Sequence, residues 1–175
     1  SIIIMKYFYY FLACLSLAGC NSKRVYDTVI RGGTIYDGNG GKPFVGDIAI
    51  HDGKIVEIGN LSDAQGKTTV DAKGMAVSPG FINMLSWAVE SLIEDGKSQS
   101  DIRQGVTLEI FGEGQSMGPL SPALREELER DQTDIKYPVS WTTLGEYLQY
   151  LEKKGVSCNV ASFVGATTLR AYVVG

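Results

Sequence analysis

The sequence changes character at Ser78-Pro79-Gly80, and this change constrains the fold more than any other feature. Before it, residues 26–77 alternate short β-branched runs with glycine turns, a pattern typical of neighbouring short strands. Arg31-Gly32-Gly33 predicts one turn, and Asp52-Gly53 predicts a type I′ hairpin, which needs positive φ at both central residues. After it, apolar runs alternate with helical patterns, an order that predicts parallel strands joined by helices.

The second part of the chain carries three predicted parallel strands and three predicted helices. The strands are residues 81–85, 106–111 and 156–164. One helical stretch is expected to end near Gly105, and a second covers Pro122–Arg130. Thr143 and Glu146 form a capping box that opens a third helix, which ends at Gly155. This order predicts a parallel sheet or barrel.

We therefore predict an α/β fold in which residues 26–78 form part of a small β-sandwich. Residues 79–175 are then the first three strands and helices of an incomplete TIM-like (β/α)8 barrel, because a complete barrel needs about 250 residues. The alternative is a complete, β-rich module. It is disfavoured because three parallel strands alone would leave a bare hydrophobic edge.

The start of the chain has the pattern of a bacterial export signal. Lys6 precedes a short apolar run that fits a signal peptide over residues 1–19 better than a membrane span. The run ends in Leu17-Ala18-Gly19-Cys20, which resembles a lipobox, and residues 20–25 would follow as a tether. We expect lipid attachment at Cys20 and anchoring to a bacterial membrane on its periplasmic or cell-surface side. The alternatives are a buried cysteine ending an apolar helix and a membrane-spanning anchor.

Composition limits the chemistry that this chain can perform. There are 16 basic against 20 acidic residues, and no basic patch stands out, so nucleic acid is not expected as a partner. Cys14 lies in the signal and Cys20 would carry lipid, which leaves Cys158 as a small apolar residue rather than a nucleophile. The single histidine, His51, ends a hairpin strand without a partner at ligand spacing, so we predict a surface or packing role.

Seven stretches, in this order and spacing, carry a family resemblance. They are residues 26–38, 46–59, 70–74, 77–83, 103–107, 159–165 and 168–170. The first four resemble the opening strands of the amidohydrolase superfamily, and the last three resemble its N-acyl-D-amino-acid deacylase (D-aminoacylase) branch. The resemblance implies the N-terminal fragment of a hydrolase that cleaves the amide C–N bond of N-acyl-D-amino acids or related small molecules with metal-activated water. It also implies that the catalytic residues lie beyond Gly175 and that the fragment itself is inactive.

The departures from this family pattern concern the metal. The resemblance implies Asp-x-His-x-His immediately after Ile82, but Leu85 and Trp87 occupy the two histidine positions. Gly114 stands where the deacylases carry a zinc-binding cysteine, and Ala166 where they often carry histidine. Zinc or another divalent metal is therefore expected as the cofactor, but it would have to bind without the His-x-His ligand pair.

Two interpretations of these losses remain open. In the first, the protein is a hydrolase with a reduced, single-metal site and Glu113 is a ligand, because barrel sites lie at the C-terminal ends of strands. The alternative is that Glu113 is a solvated or helix-capping carboxylate. Glu109, in the interior of the second predicted parallel strand, faces either the barrel or the helices. In the second, the protein is a catalytically dead binding lipoprotein whose pocket is lined by Ser86 and Trp87, with the indole stacking on a ring or sugar.

Overall fold

The computed structural model describes residues 24–175, which form a mixed α/β structure of the predicted class. The chain divides into two compact units between Pro79 and Gly80. The predicted signal peptide, Cys14, Cys20 and all but the last two residues of the predicted tether lie outside the described residues. Within residues 24–175, no helix is long and apolar enough to cross a membrane.

The first unit is built on one five-stranded sheet. Its strands are β1 (Val25–Ile35), β2 (Phe44–His51), β3 (Lys54–Gly59), β4 (Gln65–Asp71) and β5 (Ala76–Val77). The order is β3-β2-β1-β4, with β2 antiparallel to β1 and β3, and both β4 and β5 parallel to β1. The described residues of this unit form this single sheet, so a second sheet that would complete a sandwich stays a prediction.

The two glycine turns predicted in this unit have different outcomes. Asp52 and Gly53 have φ angles of 50° and 70°, so the predicted type I′ hairpin between β2 and β3 is confirmed. The turn predicted at Arg31-Gly32-Gly33 is wrong, because β1 continues through it with a register shift against β2 between Ile30 and Gly33. Gly32 has a φ of 67°, the left-handed conformation that glycine adopts in one class of β-bulge.

Asp47 holds this bulge in place. Its carboxylate accepts hydrogen bonds from the backbone N–H of Gly32 (2.8 Å) and of Leu61 (3.2 Å), and from Arg31 Nη1 (3.0 Å). Leu61 is buried and packs in the same cluster as Val29. Partial burial by itself raises the pKa of Asp47, but the three donors outweigh it, so the net pKa is lowered.

We predict that Asp47 makes the first unit less stable in acid. The pKa of Asp47 is lower in the folded than in the unfolded chain. The contribution of Asp47 to the free energy of unfolding is therefore present above its unfolded-state pKa of about 3.9, and it is lost as the pH falls through its folded-state pKa. Urea unfolding between about pH 6 and pH 2 should show a steeper loss of stability for the wild type than for Asp47→Asn. Asp71→Asn, at an exposed position, controls for removing one charge. Equal pH dependence of the wild type and Asp47→Asn would contradict this role.

The second unit is a three-stranded parallel sheet with helices. The strands are β6 (Phe81–Asn83), β7 (Val106–Phe111) and β8 (Asn159–Ser162), in the order β6-β7-β8. The helices are α1 (Ser91–Glu94), α2 (Gln99–Ile102), α3 (Pro122–Arg130), α4 (Leu144–Lys154) and α5 (Ala166–Val174). The three predicted parallel strands are confirmed, although β6 and β8 are shorter than predicted. The helical stretch expected before Gly105 consists of two single turns, α1 and α2.

Helix α4 begins at the predicted capping box. Thr143 Oγ1 accepts the backbone N–H of Glu146 (3.1 Å), and the Glu146 carboxylate accepts the backbone N–H of Thr143 (2.8 Å). The helix ends at Gly155, whose φ is 78°. These contacts satisfy backbone donors that the first turn leaves without helical partners.

We predict that Thr143→Ala lowers the free energy of unfolding by about 1 kcal/mol, the usual cost of losing an N-cap side chain. Urea denaturation at neutral pH measures this loss. Ser140→Ala is the matched control, because Ser140 lies exposed three residues before the cap. A loss of the same size in both variants would argue against the capping contact as its cause.

The core of this unit lies between β7 and the helices. Trp141 is buried, donates from Nε1 to the carbonyl of Met117 (2.7 Å), and packs its ring 5.2 Å from that of Tyr147 on α4. Phe111 belongs to the same cluster. Because residues two apart on a strand share a face, Glu109 points to the helix side together with Phe111. The open question about the face of Glu109 is thereby resolved in favour of the helices.

Candidate functional site

A cleft of about 550 Å³ opens beyond the carboxyl ends of the parallel strands. Three segments line it: residues 85–90 after β6, residues 112–117 after β7, and residues 167–171 in α5 after β8. Residues of the α3 region complete the wall. Parallel strands bring their carboxyl ends to one edge, which is where barrel and open α/β proteins build their sites. The cleft is therefore the candidate functional site.

Much of the lining of the cleft is apolar. The apolar lining residues are Leu85, Trp87, Val89, Met117, Leu120, Leu124, Leu128 and Ala171. Leu85 and Trp87 are 52% and 69% exposed, so their side chains are open to solvent at this wall. Ser86, between them, also lines the cleft but is buried. The three residues that the sequence analysis singled out in this segment thus lie at one cavity.

The charged residues that line the cleft are all acidic. They are Glu90, Glu113, Glu127 and Asp131, and none of the described lining residues is lysine, arginine or histidine. The carboxylate of Asp131 is paired with Arg130 (2.7 Å), which lowers the pKa of Asp131. Glu90 accepts the hydroxyl of Tyr137 (2.8 Å), and burial together with this bond raises the pKa of Tyr137. Such a lining favours neutral or cationic groups over anionic ones.

Glu113 lies in the cleft, but the cleft does not provide a complete set of metal ligands. Glu113 is exposed after the strand end, where Gly112 has a φ of 89°. Leu85 and Trp87 offer no donor atom, and Gly114 has a φ of 83° with no atom within 4 Å of the place where a Cβ would stand. Among residues 24–175, three histidine, cysteine or acidic side chains converge only elsewhere, in the first unit. The described cleft residues therefore do not by themselves fit a metal ion.

The convergent group in the first unit consists of Asp27, His51 and Asp52, whose ligand atoms lie within 4.8 Å of one another. His51 Nδ1 is 3.2 Å from Asp27 Oδ2, and Lys67 Nζ is 2.7 Å from Asp27 Oδ1. The hydrogen bond from Lys67 is the largest of the effects that lower the pKa of Asp27. His51 and Asp52 are exposed, and Asp27 is half-buried and already paired with Lys67, so the group forms a surface ion-pair cluster.

The expectation that His51 lacks a partner is corrected by this arrangement. The β1–β2 register pairs Thr28 with Ile50, so the next position along places Asp27 opposite His51. The surface role predicted for His51 agrees with its exposure. The register of β1 against β2 would have identified Asp27 as the partner of His51. The spacing of residues along the chain does not reveal this register.

Loops at the cleft are joined by hydrogen bonds that the sequence analysis missed. Ser116 N donates to Thr168 Oγ1 (2.9 Å), and Gly165 N donates to Ser116 Oγ (2.9 Å). Thr167 N donates to the carbonyl of Gly114 (2.9 Å). A Cβ at Gly165 would stand 2.6 Å from Gln115, so only glycine permits this approach. The loop after β7 is thereby fixed against the start of α5.

Cys158 is buried beside the core, as its apolar surroundings predict. Its thiol lies 3.6 Å from the carbonyl of Val106. Burial, and then the neighbouring Glu109, raise the pKa of the Cys158 thiol. A buried thiol that stays protonated is a poor nucleophile, which agrees with the predicted packing role.

Comparison with known proteins places these features in a family. No family model matches the chain. N-acyl-D-aspartate deacylase from Alcaligenes xylosoxydans xylosoxydans is 32% identical over 151 residues, which cover 85% of this chain and 30% of that protein. D-aminoacylase from the same organism is 33% identical over 150 residues, covering 85% of this chain and 31% of that protein. The chain spans about a third of the length of these curated relatives.

Solved structures agree. A crystal structure of D-aminoacylase, described as defining a subset of amidohydrolases, matches with a TM-score of 0.70 at 29% identity, over 85% of this chain and 31% of that one. N-acyl-D-glutamate deacylase from Bordetella bronchiseptica, complexed with zinc and a phosphonate inhibitor, matches with a TM-score of 0.71 at 27% identity, over 84% of this chain and 31% of that one. The chain is thus a homologue of the N-acyl-D-amino-acid deacylases of the amidohydrolase superfamily, which confirms the resemblance in its sequence.

Proposed function

We propose that the whole protein hydrolyses the C–N bond of N-acyl-D-amino acids or related small amides. The observation that carries this proposal is the cleft at the carboxyl ends of the parallel strands, in the segment shared with the deacylases. The solved deacylase with a phosphonate inhibitor, a mimic of the tetrahedral intermediate, is a structural neighbour of the same segment. A cavity of about 550 Å³ is of the size that small-molecule sites usually have.

The cleft offers distinct surfaces to the acyl and amide parts of such a substrate, whereas its described lining offers no cation to the carboxylate of an N-acyl-amino acid. Leu85 and Trp87 provide an apolar wall against which an acyl chain or an apolar side chain can be buried. Glu113, one of the polar lining residues, is able to accept a hydrogen bond from an amide N–H. Glu113 also offers a carboxylate oxygen to zinc or another divalent metal, which would need further ligands that do not converge with Glu113 among the described cleft residues.

A second candidate function, ligand binding without catalysis, is favoured by one observation. Leu85 and Trp87 stand exposed at the cleft, at the positions where the family resemblance implies metal-binding histidines. An exposed indole at a pocket rim suits stacking on an aromatic ring or a sugar. In this case the cleft would bind its ligand through apolar contact and through its carboxylates.

An assay of the whole protein on N-acetyl-D-amino acids, with and without chelator, separates the two functions. We expect chelator-sensitive turnover, and we expect Glu113→Gln to lower kcat/KM by about tenfold or more, as for groups that hold or orient a metal. Glu126→Gln, exposed on α3 and outside the cleft lining, should leave turnover unchanged.

Three outcomes would change the proposal. Equal effects of Glu113→Gln and Glu126→Gln would remove Glu113 from the site. Turnover that resists the chelator would exclude the metal. Absence of turnover combined with a ligand-induced rise in Tm would favour the binding protein instead.

We propose further that the protein is exported and lipid-anchored through Cys20. The support is the lipobox-like Leu17-Ala18-Gly19-Cys20 after a short apolar run. Cys20→Ala should release the protein into the soluble fraction or block its processing, as judged by cell fractionation and mass. Cys14→Ala, within the predicted signal, is the matched control and should be retained on the membrane. Unchanged membrane retention together with unchanged processing of Cys20→Ala would refute lipidation at this residue.

A further inference from the structure

A carboxyl group lies in the interior of the second unit at Glu109, in the middle of β7. Its side chain is fully buried, at 0% exposure. Burying such a group is costly unless hydrogen bonds replace its contacts with water. Ser86 Oγ donates to Glu109 Oε2 (2.7 Å), and Ser98 Oγ donates to Glu109 Oε1 (2.9 Å). The two serines come from different segments, so Glu109 connects the chain after β6 with the chain before α2.

Ser86 links this buried group to the cleft. Its backbone N–H donates to the carbonyl of Ile110 (3.0 Å), and its Oγ also accepts the backbone N–H of Ala88 (3.2 Å). Both flanking side chains, Leu85 and Trp87, line the cleft and are open to solvent. The segment that carries Leu85 and Trp87 is therefore bonded to β7 at two points, the backbone carbonyl of Ile110 and the buried carboxyl group of Glu109.

The choice of residue at position 109 is informative in energetic terms. On the same face of β7, Phe111 packs in the core with the helices, so an apolar side chain at 109 would avoid the cost of burying a carboxyl group. Replacing a buried polar pair by apolar groups of similar shape often leaves the stability of a protein unchanged or increases it. Stability alone therefore does not account for a carboxyl group at this position.

We propose that Glu109 is a positioning residue that acts through Ser86 to fix the orientation of Trp87 at the cleft wall. Glu109 does not line the cleft itself, so it has no direct contact with a ligand there. The consequence for binding is that the indole of Trp87 meets a ligand in a set orientation, without first being ordered. The relevance to substrate rests on the proposed function of the cleft, whereas the orientation of Trp87 is measurable without it.

Fluorescence anisotropy of Trp87 tests this proposal in the whole protein. Residues 1–175 contain one other tryptophan, Trp141, which is 1% exposed. The polarised emission of Trp87 is obtained by subtracting that of a matched Trp87→Phe variant in each background, which removes the contribution of every other tryptophan. We expect Glu109→Leu and Ser86→Ala each to lower the anisotropy of Trp87, because either change frees the wall segment to move locally.

Two further variants separate positioning from general loss of stability. Glu109→Gln should keep the anisotropy near the wild-type value, because its amide oxygen can accept one serine hydroxyl while its N–H donates to the other. Val139→Ala removes buried volume from the same core, so it should lower Tm without changing the anisotropy. An equal fall in anisotropy for Val139→Ala, or no fall for Glu109→Leu, would overturn the proposal.

Coupling between the two partners gives an independent test. The Ser86→Ala/Glu109→Leu double variant should lower the anisotropy no further than either single change, because both act through one contact. Additive losses would show that Glu109 does not act through Ser86.

Hydrolysis separates this inference from the proposed function. If the wild type turns over substrate, Glu109→Leu should raise KM more than it lowers kcat, as expected for binding that is equal in ground and transition states. An unchanged KM despite a lowered anisotropy would overturn the link to substrate. If the wild type shows no turnover, the proposed function fails, and the anisotropy series alone decides whether Glu109 positions Trp87.

Discussion

The parallel pairing of β6, β7 and β8 is the constraint on which the second unit depends. Asn83 pairs with Glu109, and Phe111 pairs with Ser162, so all three strands end toward the same edge. The segments that follow them are separated by tens of residues along the chain, yet they form a single cleft. Close approach of the backbone makes this possible, because a Cβ at Gly112 would stand 2.1 Å from the carbonyl oxygen of Phe163. The site is thus a consequence of strand direction rather than of any local motif.

Each unit uses a carboxyl group to hold an irregular part of its backbone, but the two groups differ in the donors they use. Asp47 accepts backbone N–H groups of Gly32 and Leu61, whose directions are set by the bulge and the adjoining loop. Glu109 accepts hydroxyls of Ser86 and Ser98, which rotate to suit the acceptor. The first arrangement stabilises a backbone conformation, and the second connects two chain segments. This difference explains why we expect the loss of Asp47 to appear in stability and the loss of Glu109 in the local order of Trp87.

Local signals in the sequence predict the elements that local physics decides. The capping box at Thr143 and the hairpin at Asp52-Gly53 are confirmed, because each depends on residues within one turn. The turn predicted at Arg31-Gly32-Gly33 is wrong because a glycine with positive φ serves a turn and a bulge equally well. Only the pairing of β1 with its neighbours distinguishes the two. Mixed α/β class and three parallel strands follow from the alternation of apolar runs and helical patterns.

The candidate site was predictable only in part, for the same reason. Ser86, Trp87 and Glu113 follow the carboxyl ends of predicted parallel strands, which meet at one edge of the sheet. All three residues line the cleft. The face of Glu109 was not predictable, because alternation defines two faces and packing against the helices decides between them. Asp27 beside His51 depends on strand register, which spacing along the chain does not encode.

Apolar side chains at the positions where the family resemblance implies metal ligands change what must hold the wall of the cleft. In the family pattern that the sequence resembles, a metal would coordinate histidines at positions 85 and 87 and so fix both side chains. Leu85 and Trp87 cannot be fixed in this way, and their exposure of 52% and 69% leaves few packing contacts to restrain them. Their orientation must therefore come from the backbone that carries them. Ser86, between them, bonds the buried Glu109, and the hydroxyl of the buried Tyr147 donates to the carbonyl of Val89 further along the segment. A cleft without the histidine pair therefore depends on a residue of β7 that never contacts the ligand, and this dependence is the same whether the protein hydrolyses its ligand or only binds it.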